Sequence, residues 1–224
     1  MSIIKPFEWM KTEDIENKAN EILLAMQSRS KTFPRRSIDP NRIADFLDLR
    51  ITYEKIPSDN NGKIAARIIP SQQLIEINED IPSLKQETGF AAFTIAHEIG
   101  HWVLHINQDE VNGLTKQQEL ALDVFKESAP FLCRSSSGET SDKREWQADY
   151  FAGSLLMPHT LLKEIVNGKN LQDLTHLRKI AEGLGVSLPA LRVRLQKIGW
   201  THTSNNSQRS YLDKTFFNSQ GNLF

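Results

Sequence analysis

Two histidines and a glutamate stand close together in an otherwise apolar stretch of this chain. His97, Glu98 and His101 lie within the run Phe90 to Ile106, which reads FAAFTIAHEIGHWVLHI. Apolar residues would cover most of the circumference of this run as a helix, which predicts a buried helix. Ionisable groups in a buried helix need partners, because burying an unpaired charge costs several kcal/mol or more.

The spacing of the two histidines suits a metal ion. Residues four apart lie on one face of a helix, with Cβ atoms about 5–6 Å apart. His97 and His101 can therefore converge on one Zn²⁺, whose bonds to histidine nitrogen are about 2.0–2.1 Å long. Glu98 is rotated by about 100° from His97 and can reach a water molecule on the metal. HEIGH is thus the pattern of a zinc-peptidase helix. The alternative is two core histidines and a glutamate in a salt bridge.

His105 extends the row of histidines by one more turn but cannot bind the same ion. A straight helix rises about 12 Å from His97 to His105, too far for three short metal bonds. We expect His105 to lie at a helix end or to support one of the ligands.

A site of this kind needs a third protein ligand and an open position for water and substrate. The metzincin pattern would require glycine at 104 and histidine at 107, whereas the chain has Leu104 and Asn107. A second helix, predicted from Asp142 to Met157, offers a glutamate instead. Glu145 and Asp149 share one face there, so one carboxylate could bind the metal while the other accepts the remaining N–H of a ligand histidine.

Spacing alone does not establish Glu145 as a ligand, because a surface carboxylate of an amphipathic helix is the alternative. Ala148 and Ala152 on the same face would let this helix approach the metal helix closely. Gly100, which costs about 0.5–1 kcal/mol in a helix interior, makes sense at such a contact.

The rest of the chain predicts an α+β domain that is mostly helical, with a small sheet beside the metal helix. Helices are expected from Thr12 to Met26 and after Asp39, and strands at Arg50–Lys55, Lys63–Ile69 and Leu74–Asn78. The sheet is either scaffold or an edge that holds an extended substrate. Further along, a helix is expected over residues 115–126 and a loop over Phe131–Thr140. In that loop Cys133 is interpreted as a small buried residue rather than a thiol that caps the metal.

The segment Leu174–Gly199 has a helix-turn-helix pattern, with Ser187 as the cap of its second helix. Five basic residues against Glu182 give it a local charge of +5 − 1 = +4: Arg178, Lys179, Arg192, Arg194 and Lys197. A DNA-binding module that uses Arg192, Arg194 and Lys197 is therefore the rival hypothesis. Otherwise these helices complete the core of the domain, since apolar residues crowd the second helix. Residues 201–224 are rich in Ser, Asn and Gln and are expected to form a flexible tail.

Composition narrows the class of protein. The chain has 224 residues, of which 39% are hydrophobic and 25% charged, and a net charge of −1, which suits one domain with a substantial core. A single cysteine excludes an internal disulfide and suits a reducing compartment. No apolar run has the length of a bilayer span, and the first residues lack the apolar core of a signal peptide. We expect a cytoplasmic protein without membrane contact.

Two motifs in this order, FTIAHEIGHWVLH and EWQADYFAGSLLMP, resemble those of the ImmA/IrrE family of metallopeptidases. The resemblance covers most of the chain and implies a zincin-like domain over residues 1–200. It also implies that His97 and His101 are zinc ligands, Glu145 the third ligand and Glu98 the catalytic glutamate. Asp149 stands where the family often has Asn or Asp, consistent with support of a ligand.

The resemblance implies a function as well, because members of this family are associated with cleaving helix-turn-helix repressors. The expected activity is that of a zinc-dependent endopeptidase in which Glu98 activates the attacking water, with Mn²⁺ as a possible substitute for Zn²⁺. Tyr150, His159 and His176 are candidates for stabilising the oxyanion by their chemistry only. We expect neither the N-terminal DNA-binding domain nor the long C-terminal sensor domain of some relatives. The alternative is a DNA-binding or repressor-binding regulatory protein whose metal site is structural.

Overall fold

The computed structural model describes residues 3–29, 37–60, 62–86, 88–113, 131–134, 143–167 and 169–201. In chain order the elements are α1 (Thr12–Arg29), α2 (Pro40–Phe46), β1 (Arg50–Glu54), β2 (Ile64–Ile69), β3 (Leu74–Asn78), α3 (Pro82–Gln86), α4 (Thr88–His105), β4 (Phe131–Arg134), α5 (Lys143–Leu156), α6 (His159–Val166), α7 (Leu174–Leu184) and α8 (Leu188–Lys197). Residues 108–113 are also helical. The mostly helical α+β fold with a small mixed sheet is confirmed. The predicted helix over 115–126 and residues 202–224 of the predicted tail lie outside the described residues.

The sheet has four strands in the order β1-β3-β2-β4. β1 runs parallel to β3, while β2 runs antiparallel to both β3 and β4. β2 and β3 bury successive residues, so both of their faces are covered, whereas the edge strand β1 is largely exposed.

The loop predicted over Phe131–Thr140 is wrong for its first four residues. Phe131–Arg134 form β4, with Phe131 opposite Ile68 and Arg134 opposite Ile64 of β2. Four residues followed by SSSG have no strand pattern of their own, so pairing with a central strand far away in the sequence decides their conformation. The interpretation of the Cys133 side chain lies outside the described part of the chain.

Helix α4 lies at the centre of the fold, in contact with β2, β3, β4, α2 and α3, and most extensively with α5. Every residue from Thr94 to Trp102 is buried, as predicted for a helix with apolar residues on all sides. A Cβ on Gly100 would lie 3.1 Å from both the Cα and the carbonyl oxygen of Ala148. The backbones of α4 and α5 are therefore in direct contact at this glycine, as the small residues predict.

The N-terminal segment, residues 3–10, packs against the far end of α4 and the start of α5. Ile4 forms an antiparallel bridge with Ile106, and the Lys5 N–H donates to the His105 carbonyl at 2.9 Å. Trp9 stacks on Trp146 of α5 with ring centroids 5.1 Å apart. The sequence did not predict this contact.

The C-terminal helix pair has the predicted helix-turn-helix form. α7 ends at Gly185, which has a φ of 70°, and α8 begins at Ser187, whose hydroxyl accepts from the Ala190 N–H. Pro158 follows the end of α5 and is the N-cap residue of α6, a helix that was not predicted. No helix among the described residues combines the length and apolar character needed to cross a membrane.

Candidate metal centre

Three donor atoms from α4 and α5 converge on one point. The Nε2 atoms of His97 and His101, one helical turn apart on α4, are 3.0 Å from each other. Glu145 of α5 places Oε2 3.1 Å from Nε2 of His97 and Oε1 3.3 Å from Nε2 of His101. The structure thus brings together the three residues predicted as metal ligands.

The dimensions of this triangle fit a small metal ion. Bonds of about 2.0–2.2 Å from a tetrahedral Zn²⁺ place neighbouring ligand atoms about 3.3–3.6 Å apart. The two Nε2 atoms are 3.0 Å apart, and Glu145 places one carboxylate oxygen 3.1 Å from His97 Nε2 and the other 3.3 Å from His101 Nε2, all close to these separations. Two nitrogens and one carboxylate oxygen form a donor set that Zn²⁺ binds well and that also accepts Mn²⁺.

The second ring nitrogen of His97 is held by a carboxylate. His97 Nδ1 lies 2.8 Å from Asp149 Oδ1, and the Asp149 side chain is only 12% exposed. A carboxylate accepts hydrogen bonds, so Nδ1 carries a proton, and Nε2 is the ring nitrogen that faces the metal position. The structure therefore places Asp149 where an acceptor for a ligand histidine was predicted.

The second ring nitrogen of His101 is held by another histidine. His101 Nδ1 lies 3.1 Å from His105 Nδ1, and His105 Nε2 lies 2.9 Å from Gln147 Oε1. His105 is thus placed beside a ligand, one of the two positions expected for it. Gln147, which is 1% exposed, was not singled out from the sequence. A glutamine on an amphipathic helix carries no ligand signal, and only its closeness to Glu145 could have drawn attention to it.

Burial and neighbouring groups shift the pKa values of the cluster in different directions. Burial lowers the pKa of His101 and, with the neighbouring His101, lowers the pKa of His105 to about 3. Burial raises the pKa of Glu145, but hydrogen bonds to the two histidines outweigh it and hold that pKa well below its usual range. For His97, burial lowers the pKa, whereas the bonds to Asp149 and Glu145 raise it well above its usual value. At neutral pH the Glu145 carboxylate and the neutral His101 imidazole are therefore in the forms that bind metals, while His97 would release a proton when a metal binds.

Glu98 follows His97 on α4 and is fully buried. Of the three donor residues Glu145 is the most exposed, because its side chain is 38% exposed while His97 and His101 are 5% and 0% exposed.

The chain that carries this site is similar to a known protein family. A family model described as the IrrE N-terminal-like domain, a peptidase family, matches residues 44–196, more than half of the chain. The chain belongs to this family. The predicted ImmA/IrrE membership is therefore confirmed, and with it a metallopeptidase-type domain.

A solved structure is also similar to this IrrE-like chain. It is a Mycobacterium tuberculosis transcriptional regulator, with 14% sequence identity and a TM-score of 0.43. The similarity covers 84% of this chain and 52% of that one, so this chain spans about half the length of that regulator. No curated protein sequence matches the chain.

The candidates for stabilising an oxyanion make other contacts in the IrrE-like domain. The Tyr150 hydroxyl donates to Glu16 Oε1 at 3.0 Å. The His159 ring packs against Trp200 with centroids 4.9 Å apart, and His176 lies beside the N-cap residue of its own helix. These contacts involve none of the three donor residues.

Arg194, one of the three basic residues of the rival DNA-binding hypothesis, is buried in this IrrE-like domain. Arg194 is 2% exposed, with Nη1 2.9 Å from Glu16 Oε1 and Nε donating to the Met157 carbonyl at 3.1 Å. Lys197 places Nζ 5.6 Å from the centroid of the Tyr150 ring. The buried guanidinium of Arg194 thus links α8 to α1 and to the end of α5.

Proposed function

We propose that this chain is a zinc-dependent endopeptidase that cleaves a protein partner. The observation that carries the proposal is the triangle of His97, His101 and Glu145, in which both histidines have their outer nitrogens hydrogen-bonded. Within the described residues the cluster has three donors. Structural zinc sites are closed by four protein ligands, whereas catalytic sites keep one position open. Two histidines and a glutamate, with Glu98 beside His97, match the donor set of catalytic zinc sites rather than the cysteine-containing sets of structural ones.

The residues of the site have distinct roles in the proposed reaction. His97 and His101 would hold the metal through Nε2, and Glu145 would hold it through its carboxylate. Zn²⁺ bound there supplies Lewis-acid polarisation of a water molecule and of the scissile carbonyl. Glu98 takes a proton from the attacking water and delivers one to the leaving amine nitrogen.

The proposed substrate is a transcriptional repressor with a helix-turn-helix domain. This step rests on the family, whose members are associated with cleaving such repressors, and it would place the reaction in the cytoplasm. The rival proposal, a DNA-binding or repressor-binding protein with a structural metal site, has less support because Arg194 lies in the core.

The test compares Glu98→Gln with Glu145→Ala on metal content and on cleavage of a repressor encoded beside this chain. Glu98→Gln keeps the size of the side chain and removes the base, so zinc should stay while cleavage falls by about 10²-fold or more. Glu145→Ala should lose both zinc and cleavage, because it removes a ligand. Elemental analysis for zinc and manganese and gel assays of the repressor fragments measure the two effects.

Glu164→Gln, a change at an exposed position of α6, is the control and should leave both readouts unchanged. Unchanged cleavage by Glu98→Gln would refute the mechanism. Tight metal binding by Glu145→Ala would show that the third ligand lies elsewhere.

A further inference from the structure

A continuous chain of hydrogen bonds leads from His101 to the backbone of the N-terminal segment. His101 Nδ1 pairs with His105 Nδ1 at 3.1 Å, and His105 Nε2 pairs with Gln147 Oε1 at 2.9 Å. Gln147 Nε2 then donates to the carbonyl oxygen of Glu8 at 2.9 Å. The three side chains are 0%, 4% and 1% exposed, so bulk water does not compete for these bonds.

The direction of each hydrogen bond follows from the Glu8 end. A backbone carbonyl can only accept, so Gln147 must turn its NH₂ group towards Glu8. Its oxygen then faces His105 Nε2, which must carry a proton. A neutral imidazole has one N–H, so His105 Nδ1 is the acceptor and His101 Nδ1 must donate to it.

The other neutral tautomer of His105, without a proton on Nε2, would place two hydrogen-bond acceptors against each other. If His105 Nε2 lacked its proton, Gln147 would have to flip to donate to it. Its oxygen would then lie about 2.9 Å from the Glu8 oxygen, with no hydrogen between two buried acceptors. The backbone carbonyl therefore selects the proton positions along the whole chain of bonds.

We propose that His105 and Gln147 are positioning residues that fix the proton of His101 on Nδ1 and so leave its Nε2 lone pair directed at the metal position. The inference rests on the proposed zinc site and adds to it the group that orients the second histidine. His97 obtains the same orientation from the carboxylate of Asp149. We call the hydrogen-bonded chain from His101 through His105 and Gln147 to the Glu8 carbonyl the relay. The relay is neutral, so it orients His101 without adding another buried negative charge beside Glu145 and Asp149.

The relay connects the site to a part of the chain that the family match leaves out. Glu8 and its neighbours precede the matched residues 44–196. The segment is held in place by hydrogen bonds from the Lys5 N–H to the His105 carbonyl at 2.9 Å and from the Asn107 N–H to the Ile3 carbonyl at 2.8 Å. The docked N-terminal segment thus supplies the fixed acceptor on which the orientation of His101 depends.

The test compares His105→Leu with His105→Asn in the full chain. Leucine removes the acceptor for His101, whereas the asparagine side-chain oxygen can take the place of Nδ1 and accept the same N–H. Long-range ¹H–¹⁵N correlation spectra of the metal-free protein show which nitrogen of His101 carries the proton. Competition with a chromophoric chelator then gives the zinc affinity of each variant.

Wild type should show the His101 proton on Nδ1. His105→Leu should show a mixture of both tautomers and bind zinc about 10–100-fold more weakly, the usual effect of removing a group that orients a ligand. His105→Asn should restore the tautomer and most of the affinity. Gln147→Met, a change on α5 that keeps an unbranched chain of similar length, should mix the tautomers as His105→Leu does, and it serves as the second variant if His105→Leu does not fold.

Wild-type tautomer and affinity in His105→Leu or Gln147→Met would overturn the proposal. It would also be overturned if the leucine and asparagine variants lost affinity equally with the tautomer unchanged, because packing alone would then explain the loss. The tautomer is measured without metal. A wild-type protein that binds no zinc would therefore refute the proposed function, while the tautomer result would still decide this inference.

Discussion

At the scale of residues, the two ring nitrogens of each histidine in the candidate centre face different partners. Nε2 of His97 and of His101 faces Glu145, while the two Nδ1 atoms face Asp149 and His105. The four-residue spacing on α4 and on α5 produces this division, because it stacks each supporting group one turn beyond a ligand. The two helices therefore supply both the candidate ligands and the groups placed to orient them.

Asp149 offers a test of this division. Asp149→Asn keeps an oxygen that can accept from His97 Nδ1, whereas Asp149→Leu removes it. We expect the leucine variant to bind zinc about 10–100-fold more weakly and the asparagine variant to lose less. Chelator competition measures the affinity, and Asp45→Leu, at an exposed position of α2, is the control. Equal affinity of Asp149→Leu and wild type would show that Asp149 does not orient His97.

The sequence allowed part of this site to be predicted. His97, Glu98 and His101 are identifiable because their spacing is unusual within an apolar helix. For Glu145 the spacing permits a ligand without requiring one, and the resemblance to the family adds the rest. The relay through Gln147 was not predictable, because it ends on the backbone carbonyl of Glu8, and a carbonyl has no sequence signature.

At the scale of elements, the crossing of α4 and α5 determines whether the ligands meet. Gly100 allows the two backbones to touch at Ala148, and a side chain there would push apart the helices that carry His101 and Glu145. The three strands before α4 and the helices α4, α5, α7 and α8 were predicted because each has its own periodicity or caps. β4 and α6 were missed because they are short and depend on neighbours for their conformation.

Gly100→Ala should therefore destabilise the fold and weaken the metal site together. The added Cβ would meet Ala148 atoms at 3.1 Å. Such overpacking costs about 1–3 kcal/mol, which exceeds the gain of about 0.5–1 kcal/mol from replacing a helical glycine. Gly153→Ala on α5 is the matched control, since its Cβ would meet only the Arg194 Cδ at 3.6 Å within 4 Å. Urea unfolding and zinc affinity measure both effects. A Gly100→Ala variant as stable as wild type would show that α4 and α5 can move apart at this contact without loss of stability.

At the scale of the whole molecule, segments far apart in the sequence close around the metal helices. The N-terminal segment contacts the end of α4, and α8 reaches α1 and α5 through Arg194. Local sequence could not show either contact. The N-terminal segment has no clear secondary-structure pattern, and a basic residue such as Arg194 is expected on the surface rather than in the core. The basic charge of α8 suggested DNA binding, whereas the burial of Arg194 places that part of the helix in the core of the IrrE-like domain.

Arg194→Met separates these two roles of α8. Removing one member of a buried ion pair costs about 3–5 kcal/mol, and we expect a loss near the lower end because the Glu16 side chain is 20% exposed. Arg178→Ala, at an exposed basic position of α7, should change the stability by no more than about 0.5 kcal/mol. Urea unfolding gives the stability, and a salt series with duplex DNA gives any DNA affinity. A DNA-binding module would instead keep its stability without Arg194 and bind DNA with a steep salt dependence that weakens when either arginine is removed.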